Sequence, residues 1–131
     1  VICMQELAKQ DLSLFSEVTG LDYVFTPMCN HKESSIVKGI GIFAKNIIEH
    51  KVEFIGGHSG ESLPVYVEGS LVEKYNSIMF QVLVAKINID NTIFTIGTTH
   101  MPVTKEGETT DYQIETFANL EKAVSSYEDL L

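Results

Sequence analysis

The run SIMFQVLVAKIN (Ser77–Asn88), the link IDNT (Ile89–Thr92) and the run IFTIGTT (Ile93–Thr99) decide how this chain folds. Two β-rich segments flank an Asp90-Asn91 pair, the kind of tight turn that joins a β-hairpin. Upstream, IVKGIGIFAK (Ile36–Lys45) predicts another strand, with Gly39 and Gly41 marking a bulge or a close backbone approach. Ile47–Ile55 reads as a neighbouring strand. Gly56-Gly57-His58-Ser59-Gly60 then opens a long excursion to about Asn76, with room for a short strand at Leu63–Val67.

Nearer the N-terminus, Val1–Gln5 reads as the end of a buried strand, and Leu7–Val18 carries apolar residues at helical spacing. Thr19-Gly20 supplies a helix stop. Leu21–Thr26 predicts a short strand closed by Pro27, and Met28–Ser35 a polar loop. Downstream of the hairpin, Ile114, Phe117, Leu120, Val124 and Tyr127 predict one amphipathic helix over Asp111–Leu131. The expected class is α+β, with an antiparallel middle and helices at the ends. The chain is expected to begin inside a strand and to stop where a further strand would follow, which reads as one incomplete domain over 1–131.

At 131 residues, with 44% hydrophobic and 21% charged side chains, there is material for one packed core. No apolar run reaches the ~20 residues of a membrane span. Cys3 and Cys29 are too few for a disulfide framework or a zinc cluster, and two free thiols suit a reducing compartment, which favours the cytoplasm. The net charge of −9 argues against tracking along a polyanion, because counterion release requires a basic face. A metal can offset negative charge locally, so phosphate chemistry stays open.

Two polar residues stand where strands run out. Glu6 follows Val1–Gln5, and His100 follows Ile93–Thr99. A carboxylate there suits Mg²⁺, which prefers oxygen ligands. A histidine there can hydrogen-bond a phosphoryl oxygen or move a proton. Each has a plain alternative: Glu6 as the first-turn acid of a helix, His100 as a loop-edge side chain. Lys38 and Lys45 read as solvated, and His58 as a flexible loop tip rather than a metal or substrate contact. His31 and Glu33 lack ligand-spaced partners, and Glu106–Asp111 reads as a solvated loop. Tyr23, Tyr66 and Tyr75 form no stacking pattern with basic residues.

Val1-Ile2-Cys3-Met4-Gln5-Glu6 resembles the strand-then-Gln-Glu motif of the endonuclease/exonuclease/phosphatase superfamily. Gly39-Ile40-Gly41-Ile42-Phe43-Ala44-Lys45 resembles that family's G-φ-A-φ-φ-S-K strand, and Thr98-Thr99-His100-Met101 its N-T-H-L motif. Gln113 and Leu120 fall where the family carries R-x-x-Q and the apolar positions that follow. The resemblance implies a four-layered α/β/β/α sandwich, of which this chain supplies about the first half. It implies Glu6 as a ligand of catalytic Mg²⁺ or Mn²⁺ and His100 as a catalytic contact to the scissile phosphate. The implied reaction is hydrolysis of a phosphate ester, nucleic acid or small molecule, by metal-activated water.

The departures from the motifs are Thr98 for Asn and Thr110 for Arg. The family's early Asn, its G-D-x-N and its S-D-H are expected outside the chain, so the piece alone is expected to be inactive. The competing expectation is a non-catalytic binding module that keeps the fold. No specific protein partner is predicted.

Overall fold

The computed structural model describes residues 1–32, 34–104 and 107–131; Glu33 and Glu106, read above as loop residues, lie outside the described residues. The strands are β1 (Ile2–Ala8), β2 (Asp22–His31), β3 (Ile36–Ala44), β4 (Ile47–Gly57), β5 (Met79–Ile89) and β6 (Thr92–Thr99). Helices are α1 (Leu12–Thr19, after a 3₁₀ turn at Lys9–Asp11), α2 (Leu71–Asn76) and α3 (Asp111–Val124). The described strands form two antiparallel sheets, ordered β1-β3-β2 and β4-β5-β6. This is an α+β architecture, a portion of a layered sandwich.

The hairpin forms as its sequence predicts. Asp90 and Asn91 take φ values of +50° and +66°, the left-handed pair that lets a two-residue turn match the twist of its strands. β5 is buried along most of its length, from Phe80 to Ala85 and again at Ile87. A half-solvated strand alternates; this central one has the other sheet on one face and α3 on the other, so apolar residues occupy both.

β3 shows the period-two logic directly. Ile40, Ile42 and Ala44 join Ile55, Leu83, Ala85 and Ile87 in the main buried core, to which Phe80, Val82 and Val84 add from the other face of β5. Phe43, on the opposite face, packs with Leu7 and Leu12 beneath α1. Burying each such large side chain contributes about 1.5–3 kcal/mol. The order of layers is therefore α1, first sheet, second sheet, α3.

Several boundaries differ from expectation. The helix predicted from Leu7 begins only at Leu12, because Leu7 and Ala8 pair with Gly39 and Lys38 of β3. Cross-strand pairing and burial of Leu7 outweigh a weak helical pattern. β2 continues through Pro27 to His31. It is an edge strand, and the register shifts between Pro27 and Cys29, a place where a missing N–H costs no ladder bond. β4 pairs with β5 rather than β3, so the chain crosses between sheets at the turn containing Asn46 (φ +56°).

The excursion after Gly57 holds α2, closed by a full Ser70/Glu73 capping box. Leu63–Val67 is not a strand; it contributes one parallel bridge, Val65 to Asn30, flanked by backbone bonds of Asn30 to Pro64 and Tyr66. α3 stops at Val124. Beyond it, the Leu131 N–H bonds Thr95 O and the Gly97 N–H bonds Leu131 O, both at 2.9 Å, using groups that β6 leaves unpaired. Among the described residues no helix is long and apolar enough to cross a membrane.

Candidate functional site

Glu6 is not a helix acid. It lies within β1, at φ +52°, where the pairing jumps from Met4–Gly41 to Leu7–Gly39. Gln5 and Glu6 thus face a single partner residue, which is a β-bulge. A glutamate in the left-handed region costs roughly 1–2 kcal/mol relative to extended backbone. Such strain persists where the surroundings hold it, and it turns a side chain to a place the regular pleat would not reach.

His100 approaches from the other sheet, one residue past the end of β6. Its Nε2 stands 3.7 Å from Glu6 Oε1, and Lys38 Nζ stands 3.7 Å from Glu6 Oε2. The carboxylate is thus flanked by two nitrogen groups, neither close enough for a short charge-assisted hydrogen bond. The Glu6 side chain keeps 62% of its exposure, while that of His100 is at 29%.

The surroundings explain how the two sheets hold register at this end. Thr26 donates to Gln81 Oε1 at 2.6 Å across the buried interface, and Thr99 donates to the Gln81 backbone carbonyl at 2.8 Å. Thr98, at the motif's Asn position, is buried and meets Gln5 Nε2 at a long 3.5 Å. Gln113 donates to the Pro102 carbonyl at 2.9 Å while its backbone N–H and side-chain oxygen close a capping box with Thr110. One side chain thereby starts α3 and ties down the backbone two residues past His100. Thr110, where the family carries Arg, is the cap itself.

The three groups stand at the mouth of a cavity of about 590 Å³. Its remaining wall brings together His31, Tyr66, Lys74, Tyr75 and Tyr112 with the apolar Met28, Ile78 and Phe80. His31 and Tyr66 stack at 4.6 Å, and Tyr75 lies between Phe80 (5.3 Å) and Tyr112 (4.6 Å). Tyr66 donates to Glu68 Oε2 at 3.0 Å, and Lys74 pairs with Glu68 Oε1 at 2.5 Å. Burial pushes the Tyr66 phenol above its usual range, and the Glu68 hydrogen bond reinforces this. The Lys74 and Tyr66 hydrogen bonds hold Glu68 below the carboxylate range. Cys29, also on the wall, is raised by burial, with Lys38 opposing and Glu6 adding to the effect.

Lys38, Tyr66 and Tyr75 line the same cavity although no sequence spacing links them; strand register and the path of the excursion bring them together. Tyr23 stays apart, against Phe43. Lys45 lies just beyond the opposite end of β3 from Lys38, exposed. His58 is not a free loop tip: its backbone N–H bonds Ile78 O at 2.8 Å, and its buried Nε2 has no hydrogen-bond partner among the described residues.

No family profile matches the chain, and no curated protein sequence does. Among solved structures, the human Nocturnin catalytic domain, determined with a bound sulfate anion, matches 98% of this chain at a TM-score of 0.57. The two share a fold. Identity over the match is 14%, and the chain spans 47% of that Nocturnin domain.

Among the described residues, no three His, Cys, Asp or Glu side chains gather as a set able to hold a metal. Glu6 alone suits a hydrated Mg²⁺ or Mn²⁺, since such an ion keeps several waters and takes one or two carboxylates together with substrate phosphate. Both its oxygens face cationic or titratable neighbours at 3.7 Å rather than being locked in short bonds.

Proposed function

We propose that this chain carries part of the active site of a divalent-metal-dependent phosphoesterase of the endonuclease/exonuclease/phosphatase superfamily. The observation that carries the reading is the meeting of Glu6, Lys38 and His100 at one cavity mouth, from three strands in two sheets. The order of the motifs and the Nocturnin-like fold support it.

In this reading Glu6 is a carboxylate ligand of Mg²⁺ or Mn²⁺. Bound there, the ion supplies Lewis-acid polarisation and a water of lowered pKa. His100 donates a hydrogen bond to a non-bridging phosphoryl oxygen, whose negative charge grows as water attacks phosphorus and the ester oxygen departs. Lys38 adds a compact positive charge beside the same oxygens. The chain contains no arginine, so lysine and histidine are its only side chains for this work.

Two measurements test the proposal. Mn²⁺ titrated into the chain should broaden the amide resonances around Glu6 and His100, and Glu6→Gln should abolish the effect. In the full-length gene product, hydrolysis of bis-p-nitrophenyl phosphate should need Mg²⁺ or Mn²⁺, and His100→Ala should lower kcat by about 10²-fold or more. Broadening indifferent to Glu6→Gln would instead leave the fold as a binding module without this chemistry.

A further inference from the structure

The cavity behind the Glu6–Lys38–His100 mouth is two-sided in its chemistry. At about 590 Å³ it matches pockets for small organic ligands and is far too small for a duplex. Part of its wall is aromatic, formed by the His31–Tyr66 stack and by Tyr112 against Tyr75. Lys74 stands on the same wall, fixed by Glu68. In a chain with net charge −9 and nine basic residues, two lysines and two histidines line this one cavity.

We propose that the cavity seats the organic half of a small phosphate ester, a single planar aromatic ring system, against Tyr66 and Tyr112, with its phosphate at Lys38 and His100. The proposal rests on the phosphoesterase reading above for the location of the phosphate, and adds the class of group esterified to it. Aromatic walls favour a flat ring over a flexible polar chain, because stacking buries ring faces at little cost in conformational entropy. The overall negative charge selects against long polyanions and favours a short substrate.

The experiment is a set of NMR titrations of the unsubstituted chain with inorganic phosphate, glycerol 3-phosphate and phenyl phosphate, with Mg²⁺ present. Phenyl phosphate should bind at least about tenfold more tightly than glycerol 3-phosphate, the gain expected from one stacked ring. Ring-current shifts should appear at His31, Tyr66 and Tyr112 only with the aromatic ester. Tyr66→Leu should remove most of that preference and leave inorganic phosphate binding unchanged. Equal affinity for the two esters, or shifts confined to Lys38 and His100 with both, overturns the aromatic seat. Phenyl phosphate shifting the tyrosines while no probe perturbs Lys38 or His100 overturns instead the phosphate position, and the phosphoesterase reading with it.

Discussion

His100 Nε2 lies 3.7 Å from Glu6 Oε1, although β1 and β6 belong to different sheets. The contact exists because a bulge turns Glu6 off the regular pleat and because the two sheets stack with these strand ends together. The consequences can be tested by substitution.

Glycine at position 6 should stabilise the chain while removing the proposed ligand. Glu6 sits at φ +52°, where glycine adopts the backbone without steric cost. Its contacts at 3.7 Å are exposed and contribute little. Urea unfolding of Glu6→Gly should show a gain of about 1 kcal/mol, with Glu6→Ala neutral or worse. A loss for Glu6→Gly would show that the carboxylate, not the strain, dominates stability there.

Gln113 has two jobs that one pair of variants separates. Gln113→Glu keeps an oxygen for the Thr110 N–H but has no amide to donate to Pro102. Gln113→Ala loses both. Thermal melts should place Gln113→Ala about 1–2 kcal/mol below the parent, with Gln113→Glu between them. Both should shift the His100 ring resonances, because both free the backbone that follows it. Unmoved His100 signals in both would remove the anchoring role.

The hairpin turn should respond sharply to residue type. Asn91 stands at φ +66°, so Asn91→Gly should hold or raise stability by a few tenths of a kcal/mol, while a β-branched Asn91→Val should cost about 1–2 kcal/mol. Denaturant midpoints at constant m-value give the comparison.

The cap of α2 predicts an acid limb. Glu73 is held below the carboxylate range by hydrogen bonds from the Ser70 hydroxyl and backbone N–H. A carboxyl lowered on folding stabilises above its unfolded pKa, about 4.3 for Glu, and that contribution is lost as pH falls through the lower folded value. Glu68 carries the same sign. Melts between pH 2 and 7 should fall below about pH 4, and Glu73→Gln, which keeps an acceptor without titrating, should flatten part of that fall. An unchanged acid profile would exclude the cap as its origin.

Much of this architecture is legible in one dimension where local chemistry decides. The hairpin is fixed by two residues that tolerate φ above zero. Apolar spacing from Asp111 gives α3, and its capping box of Thr110 and Gln113 is added by the structure. Leu7 joins β1 rather than α1, because a helical pattern of apolar residues says nothing about a strand that competes for the same segment. Pro27 does not end β2, because β2 is an edge strand, which the sequence does not reveal.

The amino-acid order alone determined that the chain builds an antiparallel core between helices and that His100 stands at a strand end; it put Glu6 after its strand, whereas Glu6 lies inside β1 at a bulge. Only the tertiary structure decided that they meet, that Lys38 joins them, and that Tyr66 and Tyr112 close a cavity beside them. Local order is set by backbone preferences within a few residues. Convergence depends on sheet register, on one bulge and on how two sheets stack, which are long-range packing outcomes that no short stretch encodes by itself.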